Sequence, residues 1–224
     1  MKKLNRTDKA FKKALDDLNI ERKGFIHAGL GTKFDVNLYD FLGFKKGLLI
    51  EANSACLDYV KKDIRAMGLS ERFYTKKTAI SNFDGEADFN YSNNLGCSSL
   101  LKLGEGMKKY YPKVYIDHVS KIQVKTINTI FQEDDKLHLK DFNVLNIDIQ
   151  GSEVDAIQGA STLIPYLDVI NIEVENVYLY KDAPLKGDVI KILSEFKFYP
   201  YVTTVMDGRG SFDDMIFIKE HING

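Results

Sequence analysis

Apolar and polar positions alternate along this chain in two rhythms, one of period two and one of period 3.6. Phe25-Ile26-His27-Ala28 is a short apolar run, and Gly47-Leu48-Leu49-Ile50 is apolar on both faces, as a buried parallel strand is. Between them the pattern predicts a helix from about Phe34 to Leu42. Cys56, Tyr59, Val60, Ile64 and Met67 follow helical spacing behind a Ser54 cap and stop at Gly68. Phe73 to Ile80 contains a third strand. After a less regular stretch the alternation returns, with strand Val144–Ile149, helix Ser152–Ile164, strand Asp168–Val174 and helix Asp188–Phe196. Tyr199–Val205 and Met215–Lys219, joined by Asp207-Gly208-Arg209-Gly210, read as an antiparallel hairpin. Strand and helix in strict succession predict an α/β fold, a doubly wound, mostly parallel twisted sheet with helices on both faces.

Two segments stand apart from this rhythm. Residues 1–23 form a helical preface from about Thr7 to Leu18, capped by Thr7 or Asp8, with Ala10, Phe11, Leu15 and Leu18 on one face. Residues 24–224 are expected to form one domain, with an insertion at about 84–140 that faces the substrate. Glu86–Tyr91 and Gln123–Thr126 read as strands within it, around a segment rich in Asn, Ser, Gly, Lys and Tyr.

Composition narrows the function. The 224 residues carry 31 basic and 32 acidic side chains, for a formal net charge of −1, with 44% hydrophobic residues. That balance argues against a coat for nucleic acid or anionic membrane. Cys56 and Cys97 make no Cys-x-x-Cys pair, and the four histidines show no zinc spacing. Charged residues interrupt any apolar run behind Met1-Lys2-Lys3, and no stretch approaches the ~18 apolar residues of a membrane span. A cytoplasmic protein is expected, and the oligomeric state stays open.

The candidate chemistry sits at strand ends. Gly29-x-Gly31 follows the first strand and lets a ligand approach backbone amides, although such turns also serve strand–helix packing. Phe34 stands where a dinucleotide fingerprint needs its third glycine, which weighs against a nicotinamide-dependent enzyme. Glu51 ends the second strand, where an acid can accept both ribose hydroxyls of an adenosine. Asp148 ends the fourth strand of the main rhythm. It can hold an ammonium, orient an acceptor, take a proton, or simply cap the next helix, where Ser152 and Asp155 fit a capping box. Glu173 and Glu175 follow the next strand. No phosphate-binding loop and no Gly-x-Ser-x-Gly elbow is present.

Phe142-Asn143-Val144-Leu145-Asn146-Ile147-Asp148-Ile149-Gln150-Gly151-Ser152-Glu153, followed by Ile157-Gln158-Gly159-Ala160, is similar to the "DFLxIDxxGxExxxLxGA" stretch of the FkbM methyltransferases. Ile26-His27-Ala28-Gly29, Ile50-Glu51-Ala52-Asn53, Ala79-Ile80-Ser81-Asn82-x-Asp84-Gly85, Ser98-Ser99-Leu100-Leu101 and Ile172-Glu173-Val174 resemble further blocks of that family. The family usually continues Gly-Ala-[Asn/His]-x-Gly after the first strand. Here Gly29-Leu30-Gly31-Thr32-Lys33 moves the second glycine by two positions and puts Lys33 in its place. The resemblance covers about Phe25 to Val177 and implies a class I methyltransferase (Rossmann-like) sheet with a C-terminal antiparallel hairpin.

It further implies S-adenosylmethionine as cofactor and O-methylation of a hydroxyl on a sugar or small metabolite. Gly29, Leu30 and Gly31 would line the methionine portion, Glu51 would hold the ribose, and Ala79 with Ile80 would wall the adenine. His27, Ala52 and Asn53 join the cofactor set through the same blocks. Asp35 would meet the amino-acid end, Ser98 would close over the ligand, and Asp148 is the first choice of catalytic base with Glu173 second. Asp148 can alternatively bind the cofactor's ammonium. No metal ligand is assigned, and a divalent metal clamped by Asp148 and a second acid is a less favoured variant. A binding protein on an inactive methyltransferase scaffold is the alternative that Lys33 motivates.

Overall fold

The computed structural model describes residues 4–32, 34–206 and 208–222. Lys33 of the glycine turn, Asp207 of the hairpin turn and the Met1-Lys2-Lys3 opening lie outside the described residues.

A seven-stranded sheet carries the architecture. Its strands are β1 (Gly24–Ala28), β2 (Lys46–Glu51), β3 (Phe73–Lys77), β7 (Val144–Ile147), β8 (Val169–Glu175), β9 (Phe198–Val205) and β10 (Phe212–Lys219), in the order β3-β2-β1-β7-β8-β10-β9. The first five in that order are mutually parallel, and β10 runs antiparallel to both β8 and β9. The predicted mostly parallel sheet with a terminal hairpin is therefore the observed one. Strand order reverses between β1 and β7, which opens a crevice at their carboxyl ends.

Helices cover both faces because successive strand residues point in opposite directions. Phe25, Leu49, Val144, Val169 and Ile216 pack with α1 (Arg6–Asp17), α2 (Val36–Phe41) and α3 (Ser54–Ala66). Ile26, Leu48, Leu145, Ile170 and Phe217 pack with α5 (Ile127–Gln132), α6 (Glu153–Gln158) and α7 (Lys186–Glu195). A second, three-stranded sheet is built from β4 (Ala79–Ile80), β5 (Gly85–Ser92) and β6 (Ile116–Lys125), in the order β4-β6-β5, and α4 (Glu105–Tyr110) lies between β5 and β6 in the chain.

Several local expectations need correction. The strand expected over 73–80 divides at Thr78, whose amide bonds the Glu51 carbonyl and whose hydroxyl bonds Gln123; this turn sends Ala79–Ile80 into the second sheet. The helix expected to reach Ile164 ends at Gln158, before Gly159, and a 3₁₀ turn with Pro165 follows. Asn5, not Thr7 or Asp8, caps α1 in a reciprocal capping box with Asp8. Asn53, not Ser54, caps α3, and Asp35 caps α2. No box forms between Ser152 and Asp155: the Ser152 hydroxyl is buried without a partner. The Glu153 carboxylate holds that turn instead, accepting from the Ile149 and Gly151 amides.

Candidate functional site

The crevice over the switch point holds a narrow cleft of about 90 Å³. Gly29, Leu30, Gly31, Glu51, Ala52, Ala79, Ile80, Ser98 and Asp148 line it, so the fold gathers most of the expected set. Phe89 of β5, with Leu95 and Leu100 from the chain between β5 and α4, adds apolar wall, a contribution missed at the sequence level because it depends on how that segment folds back.

Gly29 follows β1 directly and lies against Asp148 at the end of β7. Its φ is +84°, and a Cβ there would sit 1.7 Å from the Asp148 carbonyl oxygen, so any other residue would push the two strand ends apart. Gly31 also adopts positive φ, +57°. Between them the backbone turns its amides onto Glu51: Oε2 accepts from Leu30 N at 2.7 Å and Gly31 N at 3.1 Å, and Oε1 accepts from Asn53 N at 2.7 Å. Of the roughly four lone-pair sites on a carboxylate, three are taken. The residues fit an adenosine-type ligand. Glu51 keeps one acceptor site beside the cleft, Ala79 and Ile80 supply a flat apolar wall, and the orphaned Ser152 hydroxyl lies in the lining.

Four expected residues lie outside this cleft wall. His27 turns to the opposite side of the glycine turn and shares a 2.6 Å hydrogen bond with the Tyr39 hydroxyl; burial pulls its imidazole down to about 3, so it is neutral. Asp35 is the α2 cap and borders a separate surface hollow with Asn37, Asp40 and Phe41. Asn53 is the α3 cap. Glu173 stands one strand further on, beside Asp148. Phe34 packs against His27 and Tyr39 and does not enter the cleft.

Beyond the cleft, a row of acids crosses three strands. Asn146 pairs with Asn171 and Ile147 with Ile172, which brings Asp148 alongside Glu173; Glu173 in turn pairs with Asp214 on β10. Gln150 spans the first two, its amide donating to Asp148 Oδ1 at 2.6 Å and to Glu173 Oε1 at 3.1 Å. Tyr180 donates to Gln150 Oε1 at 2.7 Å, and Ser99 donates to the Gln150 carbonyl. Gln150 holds φ +62°, a conformation that a non-glycine residue keeps only when its surroundings enforce it.

Crowding raises the acids. Desolvation and the neighbouring Glu51 raise the pKa of Asp148, opposed by the Gln150 hydrogen bond. Desolvation first, then Asp148 and Asp214, hold Glu173 well above the usual carboxylate range. Asp214 is pushed up to about 7 by desolvation and then Asp148. Glu175, buried with Oε1 unpartnered, rises to about 7 through desolvation, against its bonds from the Tyr180 and Leu179 amides. Among the described residues, no group of three or more His, Cys, Asp or Glu is arranged to hold a metal ion. Gln150, Tyr180 and Asp214 are the participants that sequence reasoning missed. Only the left-handed Gln150-Gly151 turn carried a local signal, and Asp214 becomes visible once the β8–β10 register is known.

A seven-stranded sheet of this order, closed by an antiparallel β10 and hollowed at its switch point, is the class I methyltransferase fold. The Methyltransferase FkbM domain model matches residues 27–200, and the chain belongs to that family. Among solved structures, methyltransferase FkbM from Methylobacillus flagellatus KT is similar over 89% of this chain at 12% identity and TM-score 0.56. This chain spans only 45% of that protein. Magnesium protoporphyrin IX methyltransferase (ChlM) from Synechocystis PCC 6803, with bound SAM, is similar over 96% of this chain and 78% of its own (10% identity, TM-score 0.53). TrmK of M. capricolum, in complex with S-adenosyl-homocysteine, is similar over 97% and 69% (10% identity, TM-score 0.51). No curated protein matches the sequence. Among the described residues no helix is long and apolar enough to cross a membrane.

Proposed function

We propose that the chain uses S-adenosylmethionine to methylate a hydroxyl of a sugar or small metabolite. The observation that carries this reading is the junction of two unlike ends: a cleft floored by Glu51, opening onto Asp148 and Glu173 under one glutamine. Bound SAM supplies an electrophilic methyl group on a sulfonium. Glu51 would accept from the ribose hydroxyls, Ala79 and Ile80 would lie against the adenine, and the Gly29–Gly31 turn would line the methionine portion.

At the other end Asp148 receives the acceptor's proton as the oxygen–methyl bond forms and the carbon–sulfur bond breaks, the electron pair leaving with sulfur. A positioned base of raised pKa contributes roughly 10²- to 10⁴-fold to such a step, and holding the acceptor in line contributes the rest. Gln150 keeps Asp148 and Glu173 apart and oriented. In this reading residues 24–224 act as one unit, 84–140 being the insertion that meets the acceptor.

The test is a calorimetric titration with SAM, followed by transfer of labelled methyl to a panel of polyhydroxylated metabolites. Binding plus labelling of an oxygen supports the reading. Absence of heat at millimolar SAM overturns it in favour of a scaffold that binds something else, and labelling confined to nitrogen overturns the hydroxyl assignment.

A further inference from the structure

The small sheet leaves one edge open. β6 pairs with β5 from Val124 opposite Gly85 to Ile116 opposite Ser92, with a bulge that leaves Asp117 as an extra residue between Ile116 and His118, but meets β4 only at Val124 and Lys125. Residues 116–122 therefore have no strand on their second side among the described residues, and Asp117 through Lys121 are all exposed. Val119 is 51% exposed, unusual for a branched apolar residue in mid-strand. A long exposed edge is a template for another strand.

The direction of the free backbone groups can be read from those already bonded. The Lys125 carbonyl accepts from Ser81 N and the Gln123 carbonyl from Thr78 Oγ1, both on the β4 side. Successive residues of a strand present their backbone groups to opposite edges. Odd-numbered residues from Val119 to Lys125 thus aim amide and carbonyl outward, 119 and 121 into solvent; beyond His118 the alternation breaks, and the Tyr115 carbonyl accepts from Asn93 N on the β5 side.

We propose that this edge pairs with the same edge of a second copy, antiparallel and centred on Val119. In that register Val119 meets its own counterpart, and Asp117 of each chain faces Lys121 of the other. His118 lies opposite Ser120. Val119 then forms a hydrogen-bonded pair with its counterpart, as an antiparallel ladder requires, and Lys121 turns its backbone toward the partner beside the Asp117 bulge. Sliding the centre to residue 117 or 121 would set Asp against Asp or Lys against Lys, which is repulsive directly across strands. A centre at 118 or 120 gives neither acid–base pair. Self-complementarity of charge therefore selects one register, and the two-fold axis consumes both free edges, so assembly stops at two. Fewer residues take part than the ~20–30 a side of a standard interface, which makes the dimer concentration-dependent. Lys121 already pairs with Asp88 at 2.8 Å on the surface and is free to share that contact.

Sedimentation velocity of the whole chain, from micromolar to submillimolar, is the test. The weight-average mass should rise toward that of a dimer and no further. Asp117→Lys and Lys121→Asp should each stay monomeric with unchanged circular dichroism. An equimolar mixture of the two should dimerise again, because each mutant strand then faces two opposite charges. A wild-type chain monomeric throughout, open-ended oligomers, dimers that ignore either reversal, or a mixture without rescue would each overturn the proposal.

Discussion

The two ends of the cleft treat a strand-end carboxylate in opposite ways. Glu51 is wrapped by backbone: three amides from two loops donate to it, at fixed positions. Asp148 and Glu173 receive one side-chain amide between them and otherwise face acids, including Asp214. Backbone donors fix a negative charge in place; a crowd of acids under a single glutamine pushes proton affinity up. The difference teaches that one edge of the sheet offers a fixed carboxylate at one end and, in the proposed reading, a proton acceptor at the other.

Four experiments would break or sharpen that contrast. Asp148→Asn should lower turnover by about 10²- to 10⁴-fold, the range for a general base, while the SAM dissociation constant stays within a few-fold. Equal losses in both would make the two ends alike. Glu51→Ala should do the reverse and weaken SAM binding more than about tenfold, or ~1.4 kcal/mol; an unchanged constant in titration calorimetry would remove the ribose role.

Gln150→Ala comes next. The lost amide no longer favours ionised Asp148, so the acid limb of the kcat/KM profile should move to higher pH, with a smaller loss at the plateau. A profile that does not move would leave Gln150 a purely structural turn residue.

The smallest effect is on stability. Asp214 and Glu175 sit near 7 in the fold and near 4 when unfolded. Between those values the folded chain binds more protons than the unfolded one, so these groups make stability fall as pH rises through that window. Tm followed from pH 5 to 7.5 should decline (window set by the two shifts, about 4 to 7), and Asp214→Asn should flatten the slope. A Tm that rises because of these groups would reverse the electrostatic account.

Much of this was readable from the chain. Strands such as Leu48-Leu49-Ile50 declare themselves because both faces are buried, and the terminal hairpin stands out because its runs are separated by a glycine turn. Glu51 and Asp148 are legible for the same local reason, each being an acid that follows an apolar run. Gln150 and Tyr180 are not, since their partners come from β8, the Ser99 segment and the chain beyond β8. Helix caps failed by a residue or two: Asn5 and Asn53 precede Thr7 and Ser54, and side-chain oxygens so close together compete for the same amides. His27 and Asn53 match family blocks in sequence, yet one is turned under the glycine turn and the other spent on a helix.

The reversed direction of β10 has a further consequence. Its first residues, not its last, reach the edge that carries Asp148 and Glu173, so Asp214 follows closely on the β9–β10 connection. That connection is braced from outside: Arg209 bonds the Tyr110 carbonyl and lies over the Tyr111 ring, and Tyr111 bonds Ser211. Changes of length or composition in this bend can thus reshape the rim around an incoming molecule without touching the parallel strands beneath. In the proposed reading, selectivity for the acceptor and integrity of the frame are free to vary separately.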